Sequence, residues 1–268
     1  MNAPRSGGGT WLVVPCFDEA ARLDAAAFGR LATAARGRVL FVDDGSTDAT
    51  AAVAAGIVAG APDTFELLVL PRNVGKGEAV RQGLLAVLAR GADIVGYCDA
   101  DLATPPAEMA RLVDVLRAEP SLHVVLGSRV AMLGTRIGRA AARHYTGRVF
   151  ATAASLAVGM VVYDTQCGAK ALRAGPALDA ALATPFGSRW AFDVALLGRL
   201  RYGARDAPGL PEEAFREVPL TTWIDQGGSK LRPLAAIRAG LDLVRVAVEV
   251  RRPRVRSLNR SASRTPPR

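Results

Sequence analysis

The sequence predicts an α/β fold, with a mostly parallel sheet carrying helices on both faces. Three observations predict it. Short continuous apolar runs, such as Leu12-Val13-Val14 and Val39-Leu40-Phe41-Val42, read as strands buried on both faces. They alternate with helical stretches of crossover length. Each run ends in polar residues: Asp18-Glu19, Asp43-Asp44, Asn73 to Gly77, Asp99 with Asp101, and Ser128-Arg129. Right-handed crossovers put the carboxyl ends of parallel strands on one edge. Open α/β sheets bind ligands at that edge, so these polar groups converge on one site.

Taken in order, residues 10–15 form the first strand, after a disordered leader over 1–9. A helix over about 20–35 follows, then a strand over 38–42. Ser46 or Thr47 is placed to cap a helix of about 48–59. Residues 66–70 form a third strand, and a glycine-rich turn over 73–77 leads into a helix of about 78–90. A fourth strand covers 93–98. Pro105 and Pro106 suit the first turn of a helix over 106–118, and 123–127 is a fifth strand. The second half is less regular. A long helical region is expected over 135–158, a loop over 164–170, a helix over 190–200 and a strand over 217–223. Residues 233–250 are amphipathic, with Leu234, Ile237, Leu241, Val244 and Val248 on one face and Arg238, Asp242, Arg245 and Glu249 on the other.

Half of the 268 residues are hydrophobic and 22% are charged, which is the composition of a globular domain and excludes wholesale disorder. The net charge of +9 is concentrated at one end: residues 251–268 hold seven arginines and no acid, leaving about +2 on the body. Such a tail meets anionic lipid or nucleic acid, or is simply solvated; nothing else in the chain suggests nucleic-acid binding, and none is expected. Cys16, Cys98 and Cys167 are spaced for neither a disulfide framework nor a zinc site, which points to a reducing, cytoplasmic setting. No secretory leader is expected, because the first residues lack an apolar core. The longest uncharged run, Val149 to Tyr163, falls short of the roughly 20 residues that span a bilayer.

The stretch GYCDADLATPP (96–106) carries the sharpest chemistry. Asp99 and Asp101 are hard oxygen ligands at a strand end. Mg²⁺ or Mn²⁺ is typically held by one or two such carboxylates plus substrate phosphates. Asp43-Asp44-Gly45-Ser46 is either a tight turn with side-chain caps or a contact to base and ribose at the sheet edge. NVGKGEA (73–79) is not a Walker loop, because Gly77 and not Ser or Thr follows Lys76. It is a turn into a helix, from which Lys76 or Arg81 can face a nucleotide.

The blocks VVPCFDEAARL, FVDDGSTDAT, NVGKGEAVRQGL and GYCDADLATPP, in this order, closely resemble family 2 glycosyltransferases, which have the GT-A nucleotide-diphospho-sugar transferase fold. GSRV, DTQCGAKAL, RWAFDVALL and GGSKLRP further resemble the branch of dolichyl-phosphate glucosyltransferases and dolichyl-phosphate mannosyltransferases, the glucosyl enzymes more closely. The resemblance covers about residues 10–245 and implies a transferase domain over 10–232, followed by the amphipathic helix and the basic tail.

It also implies roles. Pro15, Phe17 and Glu19 match a first loop against base and ribose, and Asp43 and Asp44 match the pair that helps hold the nucleoside. Asp99 and Asp101 match the metal-binding D-x-D, with Ala100 between them, and Lys76 is placed on the nucleotide side. Arg129 matches an arginine near the phosphates. Ser229, Lys230 and Arg232 match a loop that closes over the diphosphate. Trp190 and Asp193 lie in a block near sugar and acceptor. Asp101, Asp193 and Lys230 are the catalytic candidates, with Asp193 orienting the sugar when the acceptor is a phosphate and acting as base when it is a hydroxyl.

The implied activity is inverting, metal-dependent transfer of a hexose, glucose by preference from UDP-glucose, to a polyprenyl phosphate. A GDP-mannose-using mannosyltransferase and a soluble transferase with a hydroxyl acceptor stand as alternatives, and a non-catalytic nucleotide-sugar binder stands outside the enzymes. The first loop reads Phe17-Asp18-Glu19 where the family carries a Tyr-Asn-Glu type, and Ala169 stands where the glucosyl branch carries an aromatic residue. The amino-terminal anchor of the eukaryotic glucosyl enzymes is not expected. Contact with an anionic membrane, at the inner face, would rest on 135–158, where Arg136, Arg139, Arg143 and Arg148 meet lipid phosphate or solvent, on 233–250, and on the tail.

Overall fold

The computed structural model describes residues 8–137, 141–189, 191–224 and 233–251; of residues 141–149, 233–239 and 241 it describes the backbone alone. In chain order the elements are β1 (Thr10–Cys16), α1 (Ala25–Ala35), β2 (Gly37–Asp43), α2 (Thr50–Gly60), β3 (Phe65–Val69), α3 (Lys76–Ala89), β4 (Ile94–Tyr97), α4 (Pro106–Ala118), β5 (Val124–Ser128) and β6 (Arg136–Ile137). There follow α5 (Ala141–Val158), β7 (Lys170–Arg173), α6 (Pro176–Leu182), α7 (Phe192–Tyr202), β8 (Phe215–Pro219), β9 (Thr222–Trp223) and α8 (Pro233–Arg251).

One seven-stranded sheet runs β3-β2-β1-β4-β7-β5-β8. All neighbours are parallel except at β7, which is antiparallel to both β4 and β5. The expected mostly parallel sheet is therefore present, and β5 still points the same way as β4. Of the antiparallel strand, the sequence assigns only Lys170, as the end of the loop over 164–170. The strand is four residues long and begins with a lysine, so no apolar run announces it.

Alternation along the strands divides the core. Leu12, Val14, Phe41 and Val125 pack with Phe28 and Leu31 of α1 and Met109, Leu112 and Leu116 of α4 on one face. Val13, Val42, Val95 and Leu126 pack with Val80, Leu84 and Val87 of α3 and with α6, α7 and α8 on the other. Helix starts follow local chemistry. Asp24 caps α1 by accepting from Ala26 N at 2.9 Å. Pro106 opens α4 as expected, its missing N–H costing nothing in a first turn. Helix α2 begins at Thr50, so neither Ser46 nor Thr47 caps it; Asp48 accepts from Thr50 N at 2.8 Å instead.

Two expectations in the second half are corrected. Residues 136–137 pair as β6 with β9 where helix is expected, and helix runs over Ala141–Val158. Helix α8 buries Leu243, Val246 and Val250, leaving Val244 at 63% and Val248 at 51% exposure, a face rotated from the expected one. Two polar contacts go with this orientation: Glu249 meets the buried Arg199 guanidinium at 2.7 Å, and Asp242 accepts from Ser188 Oγ at 2.8 Å. Among the described residues no helix is long and apolar enough to cross a membrane.

Candidate active site at the carboxyl edge of the sheet

A cleft of about 330 Å³ opens beyond the carboxyl ends of β1, β2 and β4, lined by Pro15, Cys16, Phe17, Glu19, Asp44, Asn73, Gly75, Lys76, Asp99, Ala100 and Asp101. The walls are loops laced to one another by side chains. Asp18, at φ 53, accepts from Thr47 N at 2.8 Å, while Glu19 N donates to Thr50 Oγ1 at 2.8 Å. The acid that departs from the family pattern therefore ties the first loop to the second.

Asp44, almost fully buried, accepts from Val74 N at 2.7 Å and Gly75 N at 2.8 Å. These bonds hold the turn that starts α3. Gly75 has φ +96°, and a Cβ there would fall 2.4 Å from Arg189 Nε, so only glycine fits. Asp43 accepts from the Ser46 hydroxyl and closes its own turn. Both members of the pair thus spend their oxygens on protein groups, although Asp44 also lines the cleft.

The chain turns sharply after β4. Leu102 N donates to Asp99 O at 3.1 Å, Leu102 has φ 48°, and Asp101 Oδ1 accepts from Ala103 N at 3.0 Å. The two carboxylates sit in this turn, not on the strand, and Ala100 between them is buried in the apolar layer beneath. Asp99 pairs with Lys76. Burial alone would raise its pKa, but Lys76, with Arg129 and Lys170 further off, holds it below the ordinary carboxylate value. Asp101 makes no ion pair among the described residues; burial, and after it the neighbouring Asp99, push its pKa up. Partial loss of solvent at the cleft would lower the Lys76 pKa, but the facing Asp99 outweighs it and raises it.

These groups fit a hard divalent cation. Two carboxylates share one turn, and one of them carries no cation of its own. No cluster of three or more His, Cys, Asp or Glu ligands occurs among the described residues. A cation here would take Asp99 and Asp101 and find its other ligands on a substrate, as Mg²⁺ commonly does.

Behind Asp99, the expected Asp193 is joined by two residues to which the sequence assigns no role, Lys170 and Tyr97. Lys170 opens β7 in register with Tyr97 of β4. It is fully buried, and its Nζ donates to Asp193 Oδ1 at 2.5 Å and to Cys167 O at 2.7 Å. Tyr97 donates its hydroxyl to the same Asp193 oxygen, and burial together with that carboxylate pushes its pKa well up. Asp193 stands at the start of α7 and is 4% exposed, so it lies under the cleft and not in its wall. Gly168 completes the support: a Cβ there would fall 2.1 Å from Asp99 Oδ2.

Other expected residues sit apart from the cleft. Arg129 is bound twice to Asp164, at 2.7 and 2.9 Å, and lies 5.5 Å from the Trp223 ring. Its charge bears on Asp99 without contact. Arg81 binds Glu78 and Leu182 O, so it does not face a nucleotide. Trp190, Ser229, Lys230 and Arg232 lie outside the described residues, as do Arg139 and 252–268 of the tail; Arg136 is exposed. Asn73 and Gly75, expected at this edge, line the cleft, and so does Cys16, which in the sequence reads as the end of a strand.

Comparison with known proteins agrees with this architecture. A family model described as glycosyl transferase family 2 matches residues 11–177. A dolichyl-phosphate beta-glucosyltransferase of Drosophila melanogaster is 34% identical over 218 residues, covering 78% of this chain and 63% of that protein. One from Trichomonas vaginalis is 30% identical over 217 residues, covering 80% of this chain and 60% of that protein. A polyprenol monophosphomannose synthase of Mycolicibacterium smegmatis is 29% identical over 165 residues, covering 61% of each chain. The chain thus spans about 60% of the length of such relatives. Among solved structures, glucosyl-3-phosphoglycerate synthase from Mycobacterium tuberculosis, determined with Mn²⁺, UDP and its product, superposes with a TM-score of 0.64 at 19% identity, covering 92% of this chain and 81% of that one. The fold is that of the GT-A glycosyltransferases, and the chain belongs to glycosyl transferase family 2.

Proposed function

We propose that the protein transfers a hexose, glucose in the first instance, from a nucleoside-diphosphate donor to a polyprenyl phosphate, with divalent metal. The observation that carries the acceptor class is the state of Asp193. A hydroxyl acceptor must lose a proton as it attacks, and Asp193 is the carboxylate that the family resemblance offers to take it. Here that carboxylate is buried beneath the cleft, paired with Lys170 and hydrogen-bonded by Tyr97, so it is not presented to an acceptor. A phosphate acceptor is already an anion at neutral pH and asks for no base. Similarity to the dolichyl-phosphate glucosyltransferases supports the same acceptor and favours glucose.

In this reading Phe17, 44% exposed at the rim, offers its ring to the base, and Glu19 and Asp44 border the ribose. A divalent cation on Asp99 and Asp101 would supply charge that offsets the departing diphosphate. Lys76 adds an ammonium on the same side. Asp193 and Tyr97 hold the floor beneath the sugar. The acceptor's apolar tail suits the same edge, because the loop after β5 exposes Met132 (49%) and Leu133 (105%), and Ile224 (50%) follows β9. With Val244 and Val248 on α8, these would support peripheral contact with a membrane at its cytoplasmic face.

The test is release of nucleoside diphosphate from a panel of UDP- and GDP-sugars, with Mg²⁺ or Mn²⁺, with and without a short polyprenyl phosphate. Release that requires UDP-glucose, metal and lipid phosphate is expected. Metal-dependent release indifferent to the lipid would move the acceptor to water or a soluble hydroxyl, and release from GDP-mannose alone would overturn the sugar.

Gly168→Ala gives a sharper check on the site. The added methyl meets only the tip of the Asp99 side chain, which can rotate away, so stability should change by less than about 1 kcal/mol. The carboxylate is nevertheless displaced, and a shift of about 1 Å at a reacting centre can cost about a hundredfold in rate. Thermal unfolding and diphosphate release measured on one preparation separate the two effects.

A further inference from the structure

Lys76 occupies an unusual position among the cations around Asp99. Arg129 is committed to Asp164 through two bonds, and Lys170 to Asp193 and Cys167 O. Lys76 alone, among the described residues, is in contact with the Asp99 carboxylate. Its backbone is fixed, because it begins α3 directly after the turn that Asp44 clamps. Its side chain is not: it is 45% exposed, on a flexible four-carbon stem with three rotatable donors. Asp101, one residue beyond Ala100, makes no ion pair among the described residues and accepts one bond, from Ala103 N. A divalent ion entering the cleft therefore finds one of its two protein ligands open and the other held by an ammonium.

We infer that Lys76 and the metal ion hold Asp99 in turn. The ammonium neutralises the carboxylate when the cleft is without donor. Entry of the metal with a nucleoside diphosphate draws Asp99 to the metal, and Lys76 moves to a diphosphate oxygen. Asp99 and Lys76 each keep a partner through the exchange, and the ammonium arrives where negative charge accumulates as the sugar departs. Lys76 is thus a positioning residue with two partners, and it weakens metal binding until the donor is present. This rests on reading the cleft as a metal-assisted donor site.

The experiment is titration of the full chain with Mn²⁺, followed by electron paramagnetic resonance of the free ion, with and without UDP. Removing the ammonium by Lys76→Met should tighten Mn²⁺ binding in the absence of UDP by about tenfold, the effect of one opposite charge on a carboxylate. The same variant should lose part of the gain that UDP gives the wild type. Lys76→Arg should restore the weaker binding, and adding Asp99→Asn to Lys76→Met should abolish the gain. A residue that merely braced the fold could not produce tighter binding. Unchanged or weaker Mn²⁺ binding by Lys76→Met, with Asp101→Asn still abolishing binding by the wild type, would overturn the exchange and leave the metal site standing. Absence of Asp101-dependent Mn²⁺ binding in both wild type and Lys76→Met would overturn the metal reading and the exchange together.

Discussion

Asp101→Asn should reduce turnover by about a thousandfold while leaving the fold intact, the largest effect on activity expected of any single substitution here. Removing one fixed stabiliser of developing charge costs about two to three orders of magnitude in rate, and Asp101 would hold the metal as well. Its structural duties are slight. It accepts one bond, from Ala103 N at 3.0 Å, which an asparagine oxygen keeps. It makes no ion pair among the described residues, and burial raises its pKa, so its charge opposes folding. Thermal unfolding of Asp101→Asn should therefore occur no lower than in the wild type, while diphosphate release and Mn²⁺ binding are lost together. Turnover within tenfold of the wild type would show that the leaving diphosphate is stabilised without Asp101.

The largest loss of stability is expected from Lys170→Met. It leaves the buried Asp193 carboxylate with the Tyr97 hydroxyl but no cation. Removing one partner of a buried ion pair costs about 3–5 kcal/mol. For a chain of this size that lowers the unfolding midpoint by roughly 10 °C. Lys170→Met combined with Asp193→Asn should recover most of the loss, because no unpaired charge remains and the amide oxygen still accepts from Tyr97. Activity should stay low in the double variant, because the carboxylate beneath the sugar is gone. Calorimetry and turnover on the two variants check both parts. Equal stability of the single and double variants would mean that the pair contributes through packing and not through charge.

The fold was legible wherever one strand or helix carried its own signal. Leu12 to Val14, Val39 to Val42 and Ile94 to Tyr97 are apolar runs with polar ends, and Pro105-Pro106 marks the start of α4. The signal failed where an element is defined by a distant partner. Lys170 looks like a loop residue until Asp193, 23 positions on, is set against it. Helix α8 carries apolar residues at both Val244 and Val246, and which of them faces inward depends on tertiary partners, the apolar core together with Arg199 and Ser188. The cleft was legible for the same reason as the sheet: its lining comes from strand ends. Partners were not, since Asp44 could face a ribose or two amides and composition alone does not choose between them. Gly168 read as one small residue in a motif, and its closeness to Asp99 is a fact of tertiary structure.

The place of β7 bears on how the protein is made. Strand β5 pairs only with β7 and β8, both later in the chain. Strands β1 to β4 pair among themselves, and β4 meets β7 at its other edge. Until Lys170–Arg173 has left the ribosomal tunnel, the sheet cannot extend beyond β4 and β5 has no strand to join it to the rest. The short antiparallel strand closes that gap. It brings Gly168 and Lys170 to Asp99 in the same step, so the binding cleft is completed late in synthesis, well after most of its lining residues have emerged.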